Sequence, residues 1–231
     1  MNEFNDISVV IPVREGSSRV KNKIFLPFHE ELSIMEWKVE QLMSVQSKDK
    51  IFLSSNSKNV ESVARNMGVE YLPRNDYLSV GHDASFSEVI TGVVADIPTE
   101  HFAWVTVVVP LMKPSEYKRA FTVYKENVVS MKEFDSLVSV NVVKDYLWDN
   151  NGPVNYQADK NHTVSQDLPD LYRVTNGLYM RDKSNTLAEG YFLGPKPYKF
   201  EVGKISAVDI DEYEDYQMAV ALKQFYEDDK I

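Results

Sequence analysis

Arg14, Arg19, Lys21 and Lys23 fall within ten residues of one another, beside the single carboxylate Glu15, in a chain whose formal net charge is −10. They follow Ile7-Ser-Val-Val-Ile-Pro-Val13, a β-branched apolar run that predicts a buried first strand of an α/β sheet. A basic, small-residue loop therefore leaves the carboxyl end of a strand, the place where open α/β sheets bind ligands. Gly16 lets backbone amides approach phosphate oxygens. Ser17 and Ser18 add hydroxyls, and Arg14, Arg19 and Lys23 neutralise the charge. The chemistry this would serve is triphosphate binding. Surface loops also hold Lys and Arg for solubility alone, and the pattern by itself leaves both readings open. The chain contains neither G-x-x-x-x-G-K-[ST] nor G-x-G-x-x-G, so any phosphate loop here is of another class.

A second candidate pair lies near the other end of the chain. Asp209 and Asp211 are two residues apart at the end of a strand predicted over residues 205–210, which would project both carboxylates to one side. Two carboxylates with water and phosphate completing the shell suit Mg2+ rather than a softer metal. The plainer reading is that Asp211 caps the last helix through Asp211-Glu-Tyr-Glu214 while Asp209 is solvated. His29, His82, His101 and His162 are too scattered for a histidine metal site, and the absence of cysteine excludes thiolate ligands and disulfides. No G-x-S-x-G elbow supports a serine hydrolase.

The elements that must position these groups alternate between strand and helix, which predicts a mainly parallel sheet with crossover helices. Ser33-Ile-Met-Glu36 and Ser85-Phe-Ser-Glu88 are capping boxes opening helices, and a helix over residues 59–67 stops at Gly68. Further strands are predicted at Ile51-Phe-Leu-Ser54, at Trp104-Val-Thr-Val-Val-Val109 and at Gly177-Leu-Tyr-Met180. Helices are expected over residues 115–127 and from about Glu212 onward. Residues 141–175, rich in Asn, Asp, Pro and aromatics with little helical period, interrupt the alternation and read as an insertion.

With 231 residues the chain can bury a full core as one domain over residues 1–231, and no composition break suggests more. Neither a run of eighteen apolar residues nor a cleavable leader is visible, so a cytoplasmic, non-membrane protein is expected. The excess of 35 acidic over 25 basic residues repels nucleic acid on average. An anionic small molecule must find a local positive focus, and residues 14–23 supply one.

Ile11-Pro-Val-Arg-Glu-Gly-Ser-Ser-Arg-Val-Lys-Asn-Lys23 resembles the I-P-A-R-x-G-S-x-R-x-x-x-K signature of the acylneuraminate cytidylyltransferases, the CMP-sialic acid synthetases. Phe134-Asp-Ser-Leu-Val-Ser-Val140, Ser165-Gln-Asp-Leu-Pro169, Asn176-Gly-Leu-Tyr179 and Val208-Asp-Ile-Asp-Glu-Tyr-Glu-Asp215 resemble later blocks of that family in the same order. The resemblance implies a Rossmann-like α/β nucleotidyltransferase with a mixed, mainly parallel sheet and a small dimerisation insertion. It implies transfer of CMP from CTP to an acidic sugar, with Mg2+ held by Asp209 and Asp211, in a homodimer. On the same basis Arg14, Lys23 and Asp211 would be catalytic and Arg74 would sit near the nucleotide. Gln166, Asp167 and Asn176 would line the sugar side, while Lys21 stays on the surface. Where sialate-activating relatives have Q-P-T-S-P-L this chain has Thr106-Val-Val-Val-Pro-Leu111, which leaves the exact acceptor open. The missing Q-G-D-E-P sequence argues against the KDO-activating cousins. Another acidic sugar or a sugar phosphate, or a catalytically silent nucleotide-binding homologue, are the alternatives.

Overall fold

The computed structural model describes residues 3–16, 19–79 and 83–227. Ser17, Ser18 and His82 therefore lie outside the described residues.

Seven strands form one sheet: β1 (Ile7–Pro12), β4 (Ile51–Ser55), β5 (Glu70–Pro73), β6 (His101–Val105), β7 (Ser136–Val143), β10 (Leu171–Asp182) and β11 (Pro197–Glu201). Their order is β11-β7-β10-β6-β1-β4-β5. β1 pairs in parallel with β4 and β6, and β4 with β5, whereas β10 runs antiparallel between β6 and β7. The sheet is mixed and mainly parallel. Two small hairpins, β2 (Pro27–His29) with β3 (Leu32–Ser33) and β8 (Trp148–Asp149) with β9 (Gly152–Pro153), lie outside it.

The strands alternate strictly between two apolar layers. Val9, Ile11, Leu53, Ala103, Val105, Leu178 and Met180 enter one core beneath α1 (Ile34–Met43), α2 (Lys58–Met67), α4 (Pro114–Tyr124) and α6 (Tyr213–Glu227). Val10, Phe52, Phe102, Trp104, Val138 and Tyr179 enter the other, beneath α3 (Phe86–Val94). The short α5 (Lys183–Glu189) follows β10 and leads to Phe192 in that second core. Coverage on both faces explains why these strands read as continuous apolar runs.

Both serine capping boxes form: Ser33 and Ser85 each accept from the amide three residues on, and Glu36 and Glu88 return the bond. α2 ends at Gly68 with a left-handed backbone.

Two apolar runs depart from expectation. The strand expected over Trp104–Val109 ends at Val105. Val107 and Val109 are buried without joining the ladder, while Thr106 Oγ1 donates to the Asn176 carbonyl at 2.8 Å. No strand forms over residues 205–210: residues 204–207 make a turn, with Ala207 N bonded to Gly203 O and Val208 N to Ile205 O, and 208–210 are irregular. In both places alternation records burial and not sheet pairing. The excursion between β7 and β10 is shorter than residues 141–175, because Asn141–Val143 pair with Leu171–Arg173 as sheet. It carries the β8–β9 hairpin and a ring cluster of Tyr146, Tyr156 and His162. Among the described residues no helix is long and apolar enough to cross a membrane.

Candidate active site

A cleft of about 500 Å³ opens at the carboxyl ends of β1, β5 and β6. That volume suits a small organic ligand. Arg14, Arg74, Asn176, Asp209 and Asp211 all line it, although they come from four separate stretches of the sequence.

The basic loop is held in place by its own acid. Glu15 turns away toward the first turn of α2, where Asn59 Nδ2 donates to Oε1 at 3.0 Å and the Ser57 hydroxyl donates to Oε2. The Ser57 hydroxyl that donates to Glu15 itself accepts from Asn59 N and Val60 N, and a carboxylate at that helix start is favoured by the helix dipole. Gly16 follows with φ of +94°, a backbone that side chains other than glycine rarely adopt. Arg14 is thereby left lining the cleft. Arg74 lies buried beside it, donating from Nη2 to Val13 O at 2.9 Å and from Nε to Ser79 Oγ at 3.0 Å. Both guanidinium-bearing residues line the one cleft, and burial lowers the Arg74 pKa, with the charge of Arg14 lowering it further.

Lys23 is 7% exposed and turns toward the carboxylate segment, donating from Nζ to the carbonyls of Ile210 and, at 3.3 Å, Asp211. Burial lowers its pKa, with Asp211 acting in the opposite direction. Arg19 Nη2 meets Asp211 Oδ1 at 2.7 Å. The two ends of the sequence are thus laced together. Lys21 is exposed, as expected.

Ile210 is fully buried between the two carboxylates, and its amide donates to Val108 O at 2.8 Å. Side-chain alternation about that anchor turns Asp209 and Asp211 into one cleft even though no strand is present. Asp211 does not cap α6. Asp215 does so instead, accepting from Asp211 N at 3.0 Å and Glu212 N at 2.8 Å. Asp209 Oδ2 accepts from Asn176 Nδ2 at 2.9 Å, while its buried Oδ1 has no hydrogen-bond partner among the described residues. Burial raises the Asp209 pKa, and the Asn176 bond offsets part of that.

Asn176 sits at a break in the β10 register with φ of +58°. Its Oδ1 accepts from Tyr179 OH at 2.8 Å, so the side chain is a hub between Asp209 and the aromatic wall. Gln166 and Asp167 are not brought to this cleft. They occupy a 3₁₀ turn on the excursion after β7, and Gln166 lines a separate hollow with Lys144, Tyr172, Arg173 and Lys204. The excursion is carried outward on the far end of the β7–β10 ladder, which removes it from Asp209 of the same chain.

Tyr77, Phe86, Trp104, Tyr179 and Phe192 form an aromatic wall that sequence reasoning missed. Phe192 stacks on Tyr179 at 4.0 Å and meets Phe86 edge-on at 5.5 Å. In sequence Trp104 and Tyr179 fall in predicted strands and Phe86 in a capping box, Tyr77 and Phe192 carry no assignment, and nothing in their spacing distinguishes a cleft wall from an interior. The cleft has two halves: Arg14 and Arg74 at the ends of β1 and β5, and aromatic rings toward β6 and β10, with Asp211 bonded to Arg19 and Asp209 linked to Tyr179 through Asn176.

This chain belongs to the cytidylyltransferase family, whose model matches residues 8–230. N-acylneuraminate cytidylyltransferase of Streptococcus agalactiae is 26% identical over 222 residues, covering 90% of this chain and 51% of that protein. The protein of the same name from Escherichia coli is 20% identical, covering 94% and 52%. The chain thus spans about half the length of the curated relatives it matches. Among solved structures, a CMP-2-keto-3-deoxy-manno-octonic acid synthetase complexed with CTP superposes with a TM-score of 0.69 at 14% identity, covering 96% of this chain and 99% of that one. A 4-diphosphocytidyl-2C-methyl-D-erythritol synthase from Anaerococcus prevotii superposes at 0.62, also at 14% identity, covering 94% and 96%. The fold is that of the Rossmann-like nucleotidyltransferases.

Proposed function

We propose that this chain transfers CMP from CTP to the anomeric hydroxyl of a sialic acid or a related nonulosonic acid, releasing pyrophosphate. The observation that carries the reading is the convergence of Arg14, Arg74, Asp209 and Asp211 on one cleft, with Lys23 and Arg19 reaching the carboxylate segment. The hydroxyl attacks the α-phosphate, the bond to the bridging oxygen breaks, and pyrophosphate leaves in line. Such chemistry needs positioning and cancellation of developing charge more than a covalent intermediate. Arg14 and Arg74 orient the triphosphate on the β1–β5 half. Lys23 is not among the residues that line the cleft; it donates to two backbone carbonyls, which leaves one of its three N–H groups for an anionic oxygen.

Asp209 and Asp211 fit Mg2+: both are hard oxygen donors, and the buried Asp209 Oδ1 is a donor atom that accepts no hydrogen bond among the described residues. The metal, when bound, would supply Lewis-acid neutralisation of the phosphates. The acceptor then belongs on the aromatic half, whose lining includes Tyr77, Phe86 and the more deeply set Tyr179 and Phe192. The name of the Streptococcus agalactiae relative supports a sialic acid, while of the segment Thr106–Val109 only Thr106 and Val108 line the cleft, and Val108 there favours an acceptor with a less hydroxylated face. A homodimer formed through the excursion after β7 is part of this proposal, and it would offer Gln166 and Asp167 to a partner's cleft.

Pyrophosphate release from CTP and Mg2+ tests the reading, measured with N-acetylneuraminate, legionaminate, pseudaminate and KDO and with the other nucleoside triphosphates as controls. Release with CTP and one nonulosonic acid is expected. Release with KDO alone would move the acceptor class, and silence throughout would overturn the reaction.

A further inference from the structure

The segment that closes the aromatic half is held by one buried cation. Arg181 lies two residues after Tyr179 on β10, on the same face of the sheet, and is 1% exposed. Its Nη1 donates to Tyr191 O at 2.8 Å and to Leu193 O at 3.3 Å, the carbonyls of the residues on either side of Phe192. Its Nη2 meets Glu189 Oε2 at 2.5 Å. Gly190, with φ of +73°, lets the chain turn out of α5 toward α3, where a Cβ would stand 2.4 Å from Ser87 Oγ. Phe192 is then set against Tyr179, Trp104 and Phe86 as the cleft's plate.

We propose that Arg181 is a positioning residue for the acceptor: by gripping the two carbonyls that flank Phe192 it fixes the height and tilt of the aromatic plate. A planar, forked guanidinium can hold both carbonyls and a carboxylate at once, whereas an ammonium on a flexible stem cannot hold the same geometry. Among the described residues the hydrogen-bond partners of Arg181 are Tyr191, Leu193 and Glu189, none of them a cation of the nucleotide half, so a change at Arg181 should reach the acceptor first. This inference rests on the reading that the aromatic half receives the acceptor.

Arg181→Lys and Phe192→Ala are the variants to compare, with Glu189→Gln as a milder change that keeps the buried guanidinium. For Arg181→Lys the acceptor KM should rise at least tenfold while the CTP KM stays within twofold, and Phe192→Ala should show the same split. Glu189→Gln should give a smaller rise in the same parameter. Equal rises in both KM values, or none in either, would overturn the proposal. Hydrogen exchange of the amides of residues 190–194 decides the structural step without turnover. Exchange should accelerate at least tenfold in Arg181→Lys with β6 and β10 unchanged, and unchanged or uniformly faster exchange would sink it. If the unaltered protein activates none of the acids, the reaction reading fails, while the exchange result still judges whether Arg181 holds the plate.

Discussion

Arg19 and Asp211, 192 positions apart in the sequence, form an ion pair at 2.7 Å in which both side chains are about half exposed. One is expected to meet phosphate and the other a cation, so the pair joins the groups that each half of a metal–nucleotide complex would take. An exposed pair of this kind contributes about 0–1 kcal/mol and is readily exchanged for better partners. Arg19→Ala should therefore leave Tm nearly unchanged and raise the CTP KM about tenfold, the loss of one charge-assisted contact of about 1.5 kcal/mol. Calorimetry and initial rates check this together. A large fall in Tm would show the pair to be structural, and an unchanged KM would remove Arg19 from the nucleotide site.

Asp209 presents a trade between stability and activity. One carboxylate oxygen is buried without a partner among the described residues, while the other holds Asn176. Asp209→Asn keeps an oxygen for the Asn176 amide and removes the uncompensated charge, so Tm at neutral pH should stay level or rise. Turnover should fall at least 100-fold. A variant that loses Tm but keeps its rate would reverse the assignment of Asp209 as a cation ligand. Measuring Mg2+ binding by calorimetry in both proteins separates a lost ligand from a disturbed cleft, because only the former abolishes the binding heat.

Much of this arrangement was legible in the chain. The strand ending at Pro12, the two serine capping boxes and the Gly68 stop are local features, set by residues within one turn of each other. The convergence of Arg14 with Asp211 came from a spaced resemblance, since no local rule brings residues so far apart together. What failed did so for a physical reason. Apolar alternation at Val107–Val109 and Ile205–Ile210 reports contact with the core, and burial does not require a ladder. The aromatic wall was invisible because Trp104, Tyr179 and Phe192 are nearly as buried as true core residues. Whether a buried ring borders a cleft depends on which segment stops short above it, and that is decided by long-range contacts such as those of Arg181.

Lys23 combines the two roles. Its ammonium holds the Ile210 and Asp211 carbonyls, so Lys23→Ala should lower stability by about 1–3 kcal/mol, the cost of leaving buried acceptors unpaired. The rate should also fall at least 100-fold, on the scale of a lost transition-state donor of about 2.7 kcal/mol or more. Urea unfolding and single-turnover kinetics give the two quantities separately. A stability loss with a normal rate would confine Lys23 to lacing the loop to the carboxylates, whereas a rate loss with full stability would leave the carbonyl contacts without energetic weight.

Lys38 sets a pH dependence unconnected with the cleft. It is fully buried between α1 and α4, donating to Tyr117 OH at 2.8 Å with its ammonium 4.9 Å from that ring's centre. Burial pulls its pKa from 10.5 down to about 7, against a smaller upward pull from Glu116. Between those values the unfolded chain binds a proton at this site that the folded protein does not, so stability rises with pH across about 7 to 10.5, by at most about 1.4 kcal/mol per unit. Lys23, also lowered by burial, adds to the slope below 10.5 equally with or without Lys38, whereas His101, lowered by burial, titrates below the ordinary imidazole range and Tyr117, raised by burial, above the ordinary phenol range. Urea unfolding at pH 7.5 and at pH 9 should show a clear gain for the unaltered protein, and a much smaller one for Lys38→Met, which should also be the more stable of the two at pH 7.5. Parallel pH profiles for both proteins would mean that Lys38 keeps its proton in the core and that Tyr117 suffices to hold it there.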